Sequence, residues 1–200
     1  MKDKIYKLSL GLFILKMRIV IGITGSSGSI YGITALELLK EAKVETYLIV
    51  TKNGWKVIHD ETNFTEDYIK SLSFKYYDES DFDSPLASGS FEYDGLLISP
   101  CSMSTVAKIA NGISDNLLTR VADVCIKEKR RVVVMPRETP LSPIHLKNLL
   151  KLSVNSNVII MPPMPLLYLK PRSIEELVKY SVARALYYFG IRTSYLRSWK

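Results

Sequence analysis

The stretch IVIGITGSSGSIYG, residues 19–32, decides the fold of this chain. Its apolar residues run directly into a turn rich in Gly, Ser and Thr, and the turn leads into residues 30–41, where apolar side chains recur at helical spacing. This order predicts a buried strand, a tight turn and the beginning of a helix.

The turn has the composition of an anion-binding site. Gly25 and Gly28 let the backbone approach a ligand closely, while Ser26, Ser27 and Ser29 place hydroxyls beside the unpaired N–H groups of the first helical turn. The turn has neither the GxGxxG pattern of dinucleotide sites nor the GK[ST] ending of a P-loop, so it does not specify the ligand. The alternative is a plain Gly-rich turn that caps a core helix.

Charge and apolar content narrow the function classes. The chain has 200 residues, 47% of them hydrophobic, with a net charge of +7, which suits one α/β domain. Residues 1–16 carry +3 and residues 181–200 carry +4, so the body between them is neutral. Two basic ends do not form the basic stripe that nucleic-acid binding needs, and we expect no nucleic-acid partner.

Two further features bear on the cellular setting. The apolar run at residues 8–15 is far shorter than the roughly 20 residues that cross a bilayer, so we expect no membrane association. Cys101 and Cys125 lack the CxxC spacing of a zinc site. These features predict a reduced, cytoplasmic protein without a metal, and residues 1–16 are predicted to be an extension that precedes the domain.

Short apolar stretches alternate with amphipathic ones along the rest of the chain. The predicted strands after the first are residues 44–50, 74–77, 95–99, 131–135 and 157–161. The predicted helices after the first are a stretch ending near residue 61 and residues 116–129, 144–152 and 173–189. This alternation predicts a single three-layer Rossmann-like (flavodoxin-like) domain at residues 17–200, with a parallel sheet covered on both faces.

Polar residues follow three of these strands. Thr51 follows the second strand, PCSMST (residues 100–105) follows the strand at 95–99, and PRETP (residues 136–140) follows the strand at 131–135. Ligands of open α/β sheets bind at the carboxyl ends of the strands, so we expect Thr51 and PCSMST to share one ligand with the first loop. An Arg and a Glu side by side in PRETP indicate a functional role there, and the alternative is an exposed turn with a solvated ion pair.

Six separated motifs resemble those of the UbiX-like flavin prenyltransferases. They are TGSSGSIYG, SPLASGS, PCSMST, LTRVADV, PRETPLS and MPPMPLLYLKP, in the order and at the spacing of that family. The resemblance implies that the chain binds FMN and joins a dimethylallyl group from dimethylallyl phosphate to the reduced flavin, closing a fourth ring and releasing phosphate without a metal. It also implies a UbiD-like decarboxylase as recipient of the product and a homo-oligomer, a dodecamer, with active sites at subunit contacts.

The resemblance also implies the site residues. The FMN contacts would be Gly25, Ser26, Ser27, Thr51, Ser102, Met103, Ser104, Thr105 and Arg120. The prenyl phosphate site would be formed by Ser88, Lys127, Arg137, Glu138, Tyr168, Lys170, Arg184 and Trp199. The catalytic set would be Ser27, Glu61, Glu138 and Lys127.

These residue types suit the implied reaction. A phosphate that leaves an allylic carbon needs fixed cations, and Lys127, Arg137, Lys170 and Arg184 would supply them. Ser27 and Glu61 would accept the proton that flavin N5 loses. We expect burial beside cations to keep the Glu138 carboxyl available to the phosphate.

The remaining aromatic and histidine candidates have different predicted roles. The π faces of Tyr168 and Trp199 can stabilise a transient allyl cation. His59 and His145 are predicted to be structural.

One alternative activity is a flavin-dependent decarboxylase of a cysteinyl peptide or thioether, although such enzymes typically carry an ASANT-like segment in place of PCSMST. The other alternative is an FMN-binding module without chemistry.

Overall fold

The computed structural model describes residues 16–197 of the chain. Within this part it has a parallel sheet of six strands: β1 (Arg18–Ile23), β2 (Glu45–Val50), β3 (Lys75–Asp78), β4 (Gly95–Cys101), β5 (Arg131–Pro136) and β6 (Val158–Ile160). The helices are α1 (Ser29–Glu41), α2 (Lys52–Glu61), α3 (Glu66–Ser71), α4 (Met103–Ala110), α5 (Leu117–Lys127), α6 (Pro143–Ser153) and α7 (Ile174–Tyr187). The prediction of a three-layer α/β domain is therefore confirmed.

The strand order is β3-β2-β1-β4-β5-β6. The chain runs outward from β1 to β3 and then returns to add β4 on the other side of β1. In doubly wound sheets the crevice outside the carboxyl ends of such neighbouring strands is the usual ligand site. The topology therefore predicts a ligand site beside the segments that follow β1 and β4.

Each face of the sheet carries its own core. One cluster joins Val20, Leu96 and Val132 to the apolar sides of α4 and α5. The other joins Ile21 and Leu97 to α1 and α7 on the opposite face. Strands buried on both faces explain why the sequence shows continuous β-branched runs rather than alternation.

A glycine allows α1 to lie close to the sheet. A Cβ on Gly32 would stand 2.2 Å from the carbonyl oxygen of Ser99 in β4 and 2.7 Å from a side-chain carbon of Ile23. Real Cβ atoms do not approach so closely, so this position requires glycine. The close contact fixes the beginning of α1 beside the ends of β1 and β4.

The structure differs from the sequence prediction at several boundaries. β4 continues through Cys101, so the first residues of PCSMST belong to a strand that is irregular between Ile98 and Cys101. Helix α3 was not predicted, because its six residues are too few to show a helical period. Its capping residue Thr65 and the acidic residues after it were the available signal.

Candidate functional site

Thr24 ties the first loop to the loop after β4. Its backbone N–H donates to the carbonyl oxygen of Pro100 at 3.2 Å, and its hydroxyl donates to the same oxygen at 2.9 Å. The hydroxyl also accepts from the N–H of Ser102 at 2.7 Å. Thr24 is 1% exposed, so these bonds are sheltered from water. This role of Thr24 could not be predicted from the sequence, because nothing there shows that two loops so distant along the chain meet.

Three polar segments line one cleft of about 440 Å³ at this end of the sheet. They are the first loop, the turn before α4 and the segment after β5. The lining residues are Gly25, Ser26, Ser27, Ser102, Met103, Ser104, Arg137, Glu138 and His145. The first loop and PCSMST, which were expected to share one ligand, thus meet in the structure, and the segment after β5 joins them.

Glu61 occupies the N-terminus of α1. Its carboxylate accepts from the N–H of Gly28 at 2.9 Å, and from the N–H and hydroxyl of Ser29 at 2.9 Å and 2.8 Å. Gly28, the residue before α1, has a φ of 98° and offers no capping side chain. The anion that these helical N–H groups hold in the structure is therefore an internal carboxylate from α2.

The same contacts set the charge of Glu61. Burial alone would raise the pKa of this carboxyl, but hydrogen bonds from the Ser27 side chain, from Ser29 and from the Gly28 N–H lower it below its ordinary value. The hydroxyl that donates to Glu61 at 2.8 Å is that of Ser29, and the Ser27–Glu61 proton relay stays a prediction. An ionised carboxylate beside a hydroxyl can accept a proton through that hydroxyl.

The cleft offers unpaired polar groups that suit a phosphorylated ligand. The hydroxyl oxygen of Ser26 is buried and has no hydrogen-bond partner among the described residues. The side chain of Ser102 caps α4 by accepting from the N–H of Thr105 at 3.2 Å, so the positive end of α4 faces the cleft at Met103 and Ser104. These groups fit the phosphate and hydroxyl groups of FMN.

Thr51 is placed beside this cleft but is not one of its lining residues. It is 8% exposed, and its hydroxyl caps α2 by accepting from the N–H of Gly54 at 3.0 Å. Glu79 accepts from the next N–H, that of Lys52, and also from the side-chain amide of Asn116 at 2.9 Å. Glu79 therefore ties the beginning of α2 to α5, a role that its sequence context did not reveal.

The segment after β5 brings a cation, an acid and a histidine to the cleft. Arg137 and Glu138 are exposed, and the Glu138 carboxylate accepts from the N–H of Thr139 at 3.0 Å. The expectation that Glu138 is buried beside cations is wrong for a single chain, because the segment leaves the sheet at Pro136. His145 caps α6 through Nδ1, which accepts from the N–H of Ser142 at 3.2 Å, and it also lines the cleft.

Other predicted residues surround a different loop. Arg120 donates from Nε to the carbonyl oxygen of Ala87 at 3.1 Å and pairs with Asp123 at 2.8 Å, and it does not line the cleft. Ser88 is exposed, and its hydroxyl oxygen lies 2.8 Å from that of Ser90. Lys127 is exposed at the end of α5. It was predicted to contact the same substrate as Ser88.

The remaining predicted residues lie outside the cleft lining of a single chain. Tyr168 lies in a short 3₁₀ turn, Leu167–Leu169, and Lys170 is the residue after this turn. Both side chains are exposed. Arg184 is exposed on α7, where its guanidinium lies 5.2 Å from the ring centre of Tyr187. Trp199 lies outside the described residues.

Among residues 16–197, no three His, Cys, Asp or Glu side chains come together as metal ligands. No helix in the same part of the chain is long and apolar enough to cross a membrane.

The fold and the cleft define a flavin-binding α/β protein, and the family model described as Flavoprotein matches residues 13–186. The flavin prenyltransferase UbiX of Methanocaldococcus jannaschii is 44% identical over 183 residues, which cover 92% of this chain and 98% of that protein. The chain belongs to this family of UbiX-like flavin prenyltransferases.

Solved structures agree with this assignment. A UbiX protein in complex with FMN and dimethylallyl pyrophosphate superposes with a TM-score of 0.91 at 40% identity, covering 93% of this chain and 98% of the other. The dodecameric FMN-dependent UbiX-like decarboxylase of Escherichia coli O157:H7 has a TM-score of 0.89 at 39% identity, covering 92% and 100%.

Proposed function

We propose that the chain is a flavin prenyltransferase that joins a dimethylallyl group from dimethylallyl phosphate to reduced FMN. The observation that carries the proposal is the cleft, where hydroxyl-rich loops after β1 and β4 meet Arg137 and Glu138 after β5. Donors for a phosphorylated flavin and groups for a second phosphate thus share one space. Reduced FMN supplies the nucleophilic ring that receives the prenyl group.

The reaction needs a cation for the phosphate and a route for one proton. The allylic C–O bond breaks with its electron pair on the phosphate, a C–N bond replaces the N–H bond at flavin N5, and the released proton ends on the phosphate. Arg137 offers a planar guanidinium that can pair with two phosphate oxygens. Ser27 and Glu61 would take the proton from the flavin, and Glu138 would deliver it to the phosphate.

We propose that a second copy of the chain completes the site. Lys127, Tyr168, Lys170 and Arg184 are exposed and do not line the cleft of one chain. Large apolar side chains are exposed nearby in sequence, among them Ile144 at 69%, Leu150 at 66% and Leu167 at 69%. Such side chains are typical of surfaces covered by another subunit.

Residues 186–189 are all apolar or aromatic, which predicts an exposed patch at the end of the C-terminal helix. The structure contradicts this for two of them, because Leu186 is fully buried and Phe189 packs beside Gly95. The exposed apolar surface lies instead on α6 and around the 3₁₀ turn at Leu167–Leu169. We propose a homododecamer that works in the cytoplasm and passes its product to a UbiD-like decarboxylase.

The test is a single-turnover mixture prepared without oxygen. The protein, chemically reduced FMN and dimethylallyl phosphate are combined, and the flavin is then extracted and weighed by mass spectrometry. A flavin heavier by one prenyl unit is expected. A parallel mixture with dimethylallyl diphosphate establishes which donor is used, because the cleft geometry alone allows either.

The same mixture separates the alternatives. A cysteinyl-peptide decarboxylase would leave the flavin mass unchanged and release carbon dioxide from a peptide with a C-terminal cysteine. A flavin-binding module would bind FMN and do neither. An unchanged flavin with both prenyl donors would refute the proposed function.

A further inference from the structure

The loop at residues 84–90 is held by three side-chain donors, one from α5 and two from the connections that precede β4 and β5. The hydroxyl of Tyr93 donates to the carbonyl oxygen of Leu86 at 3.3 Å, and Nε of Arg120 donates to that of Ala87 at 3.1 Å. Nη2 of Arg130 donates to that of Gly89 at 2.7 Å. Backbone carbonyls on both sides of Ser88 are therefore fixed by arginines, while the Ser88 side chain remains exposed. We call these three donors the loop clasp.

Within the loop clasp, the Arg130 guanidinium has the fewest alternative hydrogen-bond partners and orientations. Its guanidinium carbon lies 4.2 Å from the centre of the Tyr93 ring, so the ring face stabilises its charge. Its second terminal nitrogen, Nη1, is buried and makes no hydrogen bond to the described residues. A half-buried cation in this setting is held in one orientation, and the Gly89 carbonyl is its hydrogen-bond acceptor.

The loop clasp also connects Ser88 with Lys127. A Cβ on Gly89 would stand 2.4 Å from a carboxylate oxygen of Glu128, so the loop backbone passes directly against that carboxylate. The same oxygen lies 3.3 Å from the amino group of Lys127. The Arg130–Gly89 bond thus sets the distance between Ser88 and the end of α5.

We propose that Arg130 is a positioning residue for the prenyl donor. It holds Gly89 so that Ser88 and Lys127 meet the donor phosphate in one geometry, and it touches neither flavin nor donor. This inference rests on the proposed function. The hydrogen bond of the Arg130 side chain goes to the loop that carries Ser88, and not to the first loop or the turn before α4, so Arg130 is expected to act on the prenyl donor and not on FMN.

The test compares Arg130→Met with Arg131→Met. Methionine keeps much of the side-chain length but removes the hydrogen bond and the charge. Arg131 is the adjacent exposed arginine at the beginning of β5, so its variant has the same change in charge and composition. Prenylated flavin formation is measured against donor concentration, and FMN affinity is measured by fluorescence titration.

Arg130→Met is expected to raise KM for dimethylallyl phosphate about tenfold, a typical effect of losing one charge-assisted hydrogen bond. Its FMN affinity is expected to stay within twofold of wild type, and Arg131→Met is expected to change neither quantity. Arg130→Lys restores a cation over Tyr93 and one donor, so its KM should lie between those of Arg130→Met and wild type. A merely structural role would change FMN affinity and donor KM together.

Gly89→Ala provides a second route if Arg130→Met does not fold. The added methyl group presses against the flexible end of Glu128 and displaces the loop at the surface. It should also raise the donor KM and leave FMN affinity unchanged. An active wild type whose donor KM is the same in all these variants overturns the positioning role alone. A wild type that forms no prenylated flavin overturns the proposed function and this inference with it.

Discussion

Replacing Glu61 with glutamine tests how the first loop is held. The carboxylate is the only cap of α1 within the described residues, because Gly28 has no side chain and Glu61 receives both the Gly28 and the Ser29 N–H. Glutamine retains one oxygen but turns an amide N–H₂ group toward donors that need an acceptor. The variant should therefore lose stability and also disturb Ser27 in the cleft.

The size of the loss follows from two bounds. Removing a helix N-cap acceptor costs typically about 1 kcal/mol, and hydrogen bonds to a charged group contribute about 1.5–3 kcal/mol where they are sheltered. Glu61 is exposed, which favours the lower part of this range. We expect a loss of about 1–2 kcal/mol, which for a chain of this size lowers Tm by roughly 3–6 °C.

The loss should depend on pH with a definite sign. The pKa of Glu61 is lower in the folded protein than the ordinary 4.5, so the folded state favours the ionised carboxylate. Its contribution to stability is fully present above pH 4.5 and disappears as the pH falls through the lowered folded pKa. The Tm difference between wild type and Glu61→Gln should thus be large at pH 7 and smaller at pH 4.

Thermal unfolding followed by circular dichroism at matched protein concentration measures the difference. Asp60→Asn is the matched control, because Asp60 is an exposed acid in the same helix and loses the same charge. An equal drop in Tm for both variants would show that net charge, and not the cap, is responsible. A Glu61→Gln difference that stays constant between pH 7 and pH 4 would refute the assignment of the effect to the ionised carboxylate.

Three further predictions concern the cleft and the assembly. Arg120→Ala should weaken FMN binding in a fluorescence titration, whereas Arg137→Met should raise KM for dimethylallyl phosphate about tenfold, since Arg137 lines the cleft and is proposed to pair with the donor phosphate; a clear preference for FAD or NAD over FMN would contradict the site. Glu138→Gln should bind FMN normally and slow prenylation about a hundredfold or more, because it cannot exchange a proton; turnover within a few-fold of wild type would limit Glu138 to positioning. Light scattering at micromolar concentration should show a large homo-oligomer, and the mass of a monomer would contradict the proposed dodecamer.

The sequence predicted the fold well because most of its signals are local. Each strand is a short β-branched run, and helices such as α6 and α7 begin at Ser142 and Ser173, which cap them as their sequence context indicates. Local signals end where a contact depends on another element. The cap of α1 comes from Glu61 in α2, and the first and fourth strands are joined through Thr24, so neither could be derived from neighbouring residues.

The sequence predicted which loops meet at the cleft, but it did not predict which charged side chains lie there. Strand ends placed the serine-rich turns and Arg137 at one cleft, as a parallel sheet requires. The remaining predicted cations, Lys127, Lys170 and Arg184, are exposed on separate elements of one chain. Sequence order gives no distances between such side chains, so it could not show which of them share a cleft.

That distribution has a chemical consequence. A departing phosphate is stabilised only by charges that surround it before the bond breaks, and Arg137 is the one cation that the described residues bring to the cleft. If a second subunit supplies some of the predicted cations, as proposed, the catalytic site is complete only in the assembly. Flavin affinity should then survive dissociation, since the serine-rich loops belong to one chain, while prenylation should fall with the fraction of assembled protein.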